Sequence, residues 1–267
     1  MLTSLLLGAL VGAVLGLTGA GGGILAVPAL VVGMGWPMQQ ATPVALVAVA
    51  GSAALGALEA FRRGLVRYRA AFLMAAAGVP LTSLGVRLSH VLPQRLLMAL
   101  FAAVMLVVAL RLLRQALGGG APDPASGFCV GHLDPGTGRL AWTWSVAAAL
   151  AGTGALTGLM TGLLGVGGGF VIVPMLRKLT DIPMHGIVAT SLMVIALVGG
   201  GGIASTLVQG ASPPLALTLM FSAMTAAGMV AGRVVSRRLA PAHVQMGFAV
   251  ALIVIALGLM AKAALGV

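Results

Sequence analysis

The sequence predicts an all-α polytopic membrane protein. It is expected to hold two inverted repeats of about five hydrophobic segments each, roughly eight to ten transmembrane helices with glycine-broken helix hairpins. Three observations carry this. The 267 residues are 60% hydrophobic and only 7% charged, with a mean hydropathy of +1.14. A soluble domain carries about 25% charged residues, so 15 basic and 4 acidic side chains are too few to cover a water-facing surface. Residues 8–31 return at 154–177, where 13 of the 24 aligned positions are identical without a gap. Finally, the apolar runs have the length that lipid requires, and in lipid the backbone must satisfy itself as helix.

In the first half these runs are 4–17, 24–36, 42–60, 70–88 and 95–113. In the second they are 144–165, 169–179, 186–206, 215–235 and 243–265. The first repeat is therefore set at 1–114, the second at 142–267, and 115–141 is a Gly/Pro-rich polar linker containing GGGAPDP and DPGTGR. Beyond the first 24 positions the echo keeps its order: Met38 pairs with Met184, Gly64 with Gly210 and, after a two-residue slip, Pro93 with Pro241. Met1 to Gly16 could pass for a signal peptide, but the same pattern recurs mid-chain, so it is taken as mature protein.

A net charge of +11 would suggest nucleic acid in a soluble protein. Here the basic residues fall in small groups between apolar runs, where they set membrane orientation instead. If the first two segments of each half form a hairpin, 12 basic residues lie on one face and 3, Arg87, Arg95 and Lys262, on the other. If the pair counts as one crossing, the split is 8 against 7. Positive residues favour the cytoplasm. The hairpin is therefore expected, with a cytoplasmic linker and both termini outside. Cys129 is the only cysteine, so no intramolecular disulfide forms.

The chemistry-bearing signal is a pair of glycine turns, Thr18-Gly19-Ala20-Gly21-Gly22-Gly23 and Leu164-Gly165-Val166-Gly167-Gly168-Gly169. Such runs break a helix and free backbone N–H groups. Where the next helix opens, those donors and the helix dipole make an anion site, and glycine leaves the approach unobstructed. Broken helices of this kind hold substrate in inverted-repeat transporters. Thr42 and the pair Thr190-Ser191 add hydroxyls nearby. The candidate substrate-binding set is thus Thr18, Gly19, Gly21, Gly22, Gly23, Thr42, Gly165, Gly167, Gly168, Gly169, Thr190 and Ser191. Valine at Gly22 or Gly168 is expected to abolish anion binding in protein that still folds.

Other features read as structural. Gly8, Gly12 and Gly16, like Gly154, Gly158 and Gly162, lie every fourth residue on one face, the small-xxx-small packing pattern. Glu59 is expected to pair with Arg62 and Arg63 at a helix end. Cys129, His132 and Asp134 in the linker are too few and too loosely placed for a metal site. No catalytic set and no intramembrane acid pair is present, so neither an enzyme nor a cofactor is expected.

The doubled segment, with its glycine-rich turn, a proline shortly after and Ala189-Thr190-Ser191 in the second half, resembles the TauE/SafE sulfite-exporter permeases. The resemblance covers essentially the whole chain. It implies an inner-membrane transporter for small sulfur-containing or other organic anions such as sulfite and sulfonates. In the first half Ala41-Thr42-Pro43 stands where the second has Ala189-Thr190-Ser191. The expected protein is a secondary transporter in the cytoplasmic membrane. Its partners are a small anion and the bilayer, with no nucleic acid, and a homo-oligomer is compatible with it. A structural membrane subunit and an intramembrane enzyme are the rivals.

Overall fold

The computed structural model describes residues 2–19, 22–117, 142–210, 213–236 and 241–265. These form helices α1 (Leu2–Thr18), a 3-10 turn (Gly22–Leu25), α2 (Ala26–Gly33), α3 (Met38–Arg62), α4 (Tyr68–Val91) and α5 (Gln94–Leu117). The second half gives α6 (Trp144–Leu164), α7 (Gly169–Leu179), α8 (Met184–Val208), α9 (Leu215–Ser236) and α10 (Pro241–Leu265). Among the described residues, 7 helices are long and apolar enough to cross a membrane. The protein is thus a polytopic all-α membrane protein. Most of the expected linker, with Cys129, His132 and Asp134, lies outside the described residues, and α5 runs to Leu117, past the boundary set at 114.

Local chemistry sets the helix ends, and it does so in matched pairs. Pro37 and Pro183, both extended, precede α3 and α8 and fix the entry angle. Gly64 (φ 70°) and Gly210 (φ 82°) follow those helices in the left-handed conformation that only glycine adopts freely. Thr143 caps α6, its hydroxyl accepting from the Val146 N–H at 3.3 Å. The third segment of each half starts earlier than its apolar run, because Met38-Gln39-Gln40 and Met184-His185 already lie inside the helix that the proline starts.

The short α2 is the return stroke of a hairpin with α1. A β-carbon on Gly33 would lie 2.6 Å from Leu7 Cδ1, and one on Gly22 would run into the backbone of Leu15, so α2 runs back antiparallel along α1. The 11 residues of α7 span about 16 Å, well short of the ~30 Å hydrocarbon layer.

The halves interlock. α1 packs along α9 and α6 along α4, while α3 lies against α8 and α5 against α10. The two glycine stripes are the seams. Gly8, Gly12 and Gly16 face the α9 backbone at Phe221, Thr225 and Met229; Gly154, Gly158 and Gly162 face the α4 backbone at Met74, Gly78 and Thr82. These are the close helix approaches that small residues permit. Hydroxyls along these helices bond back one turn, as Thr82 does to the Gly78 carbonyl (2.9 Å) and Thr225 to the Phe221 carbonyl (2.7 Å). The membrane interior thus meets no free donor at those positions.

Candidate functional site

The two glycine turns meet at the centre of the molecule. Gly22 and Gly23 are buried, and a β-carbon on Gly23 would lie 2.9 Å from the Val166 carbonyl oxygen in the other turn. Val49 of α3 walls both, standing 2.9 Å from the same position on Gly23 and on Gly167; Ile195 of α8 closes Gly167 at 3.0 Å. Gly165, Gly167 and Gly168 have φ of 70°, 72° and 64°, so the second turn needs glycine for its backbone as well as for space. Gly21 lies outside the described residues.

This packing corrects the expectation that valine at Gly22 or Gly168 leaves the fold intact. At Gly22 any side chain meets the backbone of α1, and at Gly168, already at positive φ, it meets Thr157 and the Thr161 hydroxyl, 3.2 Å away. The order of the hydroxyls is corrected too. Gly19 faces Val188 (Cγ1 at 2.9 Å), and its counterpart Gly165 faces Thr42 (Cγ2 at 2.6 Å). Thr42 therefore corresponds to Val188, 146 residues later, and not to Thr190.

The hydroxyls are differently employed. Thr190 and Ser191 are fully buried. Thr190 Oγ1 accepts from the Arg67 N–H at 3.1 Å, tying the α3–α4 loop to α8, and Ser191 donates to the Val188 carbonyl at 2.9 Å. Thr18 donates to the Val14 carbonyl at 2.8 Å. Thr157, whose methyl packs on Gly168, keeps a buried hydroxyl without a partner.

Beside the turns opens a cavity of about 1070 Å³. Its deep wall is the end of α1 (Gly16–Gly19) and the start of α7 (Gly169, Phe170). Thr18, Gly19 and Gly169 of the expected set thus reach it. Its mouth is formed by the ends of α3, α5, α7 and α9 and the starts of α8 and α10, the end of the bundle to which residues 118–141 connect. Arg63, Arg111, Arg177, Arg233 and His185 line it, against one carboxylate among the described residues, that of Glu59. Glu59 accepts from Arg63 (2.7 Å) and, across helices, from Arg233 (3.0 Å). The expected partner Arg62 is replaced by Arg233, which no spacing along the chain could disclose, being 174 residues away. The arginines of the wall were visible in the sequence only as topogenic charge.

At the opposite end lies the counterpart of this mouth, and it is shut. A crevice of about 10 Å³ is lined by Met38, Gln39, Thr42 and Pro43. Their equivalents 146 residues later, Met184, His185, Val188 and Ala189, line the large cavity. Two halves of related sequence therefore enclose one open and one closed mouth.

A many-helix membrane bundle with a polar-mouthed cavity that, among the described residues, opens at one end has the architecture of a membrane transporter. The comparisons agree. Residues 4–259 match the family described as "Sulfite exporter TauE/SafE", and the chain belongs to that family. It is 33% identical over 194 residues to a "Probable membrane transporter protein" of Xylella fastidiosa strain 9a5c, covering 72% of this chain and 68% of the relative. A protein of the same description from strain Temecula1 is 34% identical over 202 residues, covering 75% and 70%. No solved structure matches.

Proposed function

We propose that the protein is a secondary transporter that moves a small anion, sulfite, an organosulfonate or a related sulfur-containing or carboxylate anion, across the cytoplasmic membrane. The observation that carries this is the cavity: among the described residues four arginines and one histidine stand against one carboxylate, on a wall leading to the glycine turns. Low-dielectric walls focus such a charge excess and concentrate anions at the mouth. The start of α7, Gly169 and Phe170, also reaches the cavity and brings the positive end of a helix dipole to it.

In this reading the repeats are inverted across the membrane, and the open mouth faces the cytoplasm, as the 12-to-3 charge split favours. The closed crevice at Thr42 is the exit on the other side. Transport alternates by exchanging the open and closed forms of the two equivalent mouths.

A binding screen tests the reading. Purified full chain is heated with sulfite, thiosulfate, sulfonates or carboxylates, and the melting temperature is followed. At least one of these anions should raise it in a saturable way, and Arg111→Gln and Arg177→Gln should each weaken that response. A panel with no saturable stabilisation would remove the anion assignment.

A further inference from the structure

Each end of the bundle carries a three-residue polar cluster, two of its members at equivalent positions, and the two clusters differ in charge. At the open mouth Glu59 of α3 bridges Arg63 (2.7 Å) and Arg233 of α9 (3.0 Å). At the closed end the position of Glu59 is taken by Ser205 of α8 and that of Arg63 by Gln209, each 146 residues later. Gln209 donates to Ser205 (3.0 Å), and Ser205 reaches across to Ser83 of α4 (3.1 Å). The repeat keeps two of the three positions and changes the chemistry from ionic to neutral. On α4 the residue matching Arg233 is Val86, since Gly78, Thr82 and Gly85 meet α6 as Thr225, Met229 and Gly232 meet α1.

We propose that Arg233 is an anion-binding residue of the permeation path at the open mouth, with Glu59 the internal carboxylate that the arriving anion displaces. Arg233 has a built seat. Its Nη2 would lie 2.7 Å from a β-carbon on Gly56, so the guanidinium rests against the bare backbone of α3. Its backbone stands against Gly16, one turn before the glycine turn, so an anion on Arg233 is already on the cavity wall that leads to Thr18 and Gly19. A guanidinium presents five donors in a fork that suits an oxyanion, and the hydrogen bond to Glu59 engages Nη1. With Glu59 half-exposed at 50%, its hold is that of a solvent-screened pair and is weak enough to exchange. The neutral cluster at the other mouth offers no such site, so the anion is held at one end of the path and released at the other.

The proposal rests on the chain being an anion transporter, and the test separates the two. Sulfite binding by the purified full chain is measured by calorimetry, with thiosulfate and a sulfonate as further probes. Glu59→Gln removes the competing carboxylate and should tighten binding roughly two- to fivefold, the range of an exposed ion pair. Arg233→Gln should weaken it about tenfold or more, Arg233→Lys should restore part of the loss, and Glu59→Gln should give no gain in the Arg233→Gln background. A wild-type chain that binds none of the probes overturns the anion assignment and this proposal together. A wild-type chain that binds, with Glu59→Gln equal to or weaker than it, overturns this proposal alone. That sign holds as a test even if the Arg233 variants fail to fold.

Discussion

Alanine at Gly158 should unlatch the seam between α6 and α4. The added β-carbon would lie 2.6 Å from both Cα and the carbonyl carbon of Gly78, and nearer still to the Gly78 oxygen. Carbon atoms rest about 3.5–4.0 Å apart, so the helices must part by roughly 1 Å at their closest approach. Backbone cannot swing aside as a flexible side chain can. Overpacking of this sort costs about 1–3 kcal/mol, and the gap also strips dispersion contacts from the neighbours along the seam. Gly152 on the same helix supplies the control, since nothing lies within 4 Å of its β-carbon position. There alanine should be neutral or gain up to about 1 kcal/mol of helix propensity. Denaturant titration of the purified variants, read by tryptophan fluorescence, gives both numbers. Gly158→Ala as stable as the parent would refute the close-packed seam.

Two further outcomes follow from the packing and the charge pattern. Gly22→Val should fail to yield monodisperse protein, because its side chain has only the α1 backbone to occupy, whereas Gly51→Val, with open space around it, should purify normally. Cys129 should resist a membrane-impermeant thiol reagent in intact cells and react after permeabilisation; labelling from outside would contradict the proposed orientation.

Much of the architecture was legible in the sequence, because lipid makes it so. Apolar length fixes the helices, and the 146-residue echo exposes the duplication, down to the equivalent starts at Met38 and Met184. The glycine stripes read as packing and proved to be the seams. The site was legible only in part. The turns do converge, but their glycines are spent largely on contact with α1, Thr157 and each other. Thr190 and Ser191 looked available and instead bond the Arg67 N–H and the Val188 carbonyl. What the sequence hid was long-range: Arg233 reads as one more helix-end charge until α9 brings it to Glu59. The inequality of the two mouths is likewise a property of how similar halves are arranged, which local patterns do not encode.

The most direct test of the account is anion flux through the protein alone. Full chain reconstituted into liposomes, with no other protein present, is loaded with radiolabelled sulfite, and efflux is followed under an imposed membrane potential and under a proton gradient. Efflux should be saturable and absent from empty liposomes, and it should be slowed by Arg111→Gln and Arg177→Gln in proportion to their loss of binding. Flux absent for sulfite and for every anion that stabilises the protein, in vesicles whose protein is folded, would contradict the account.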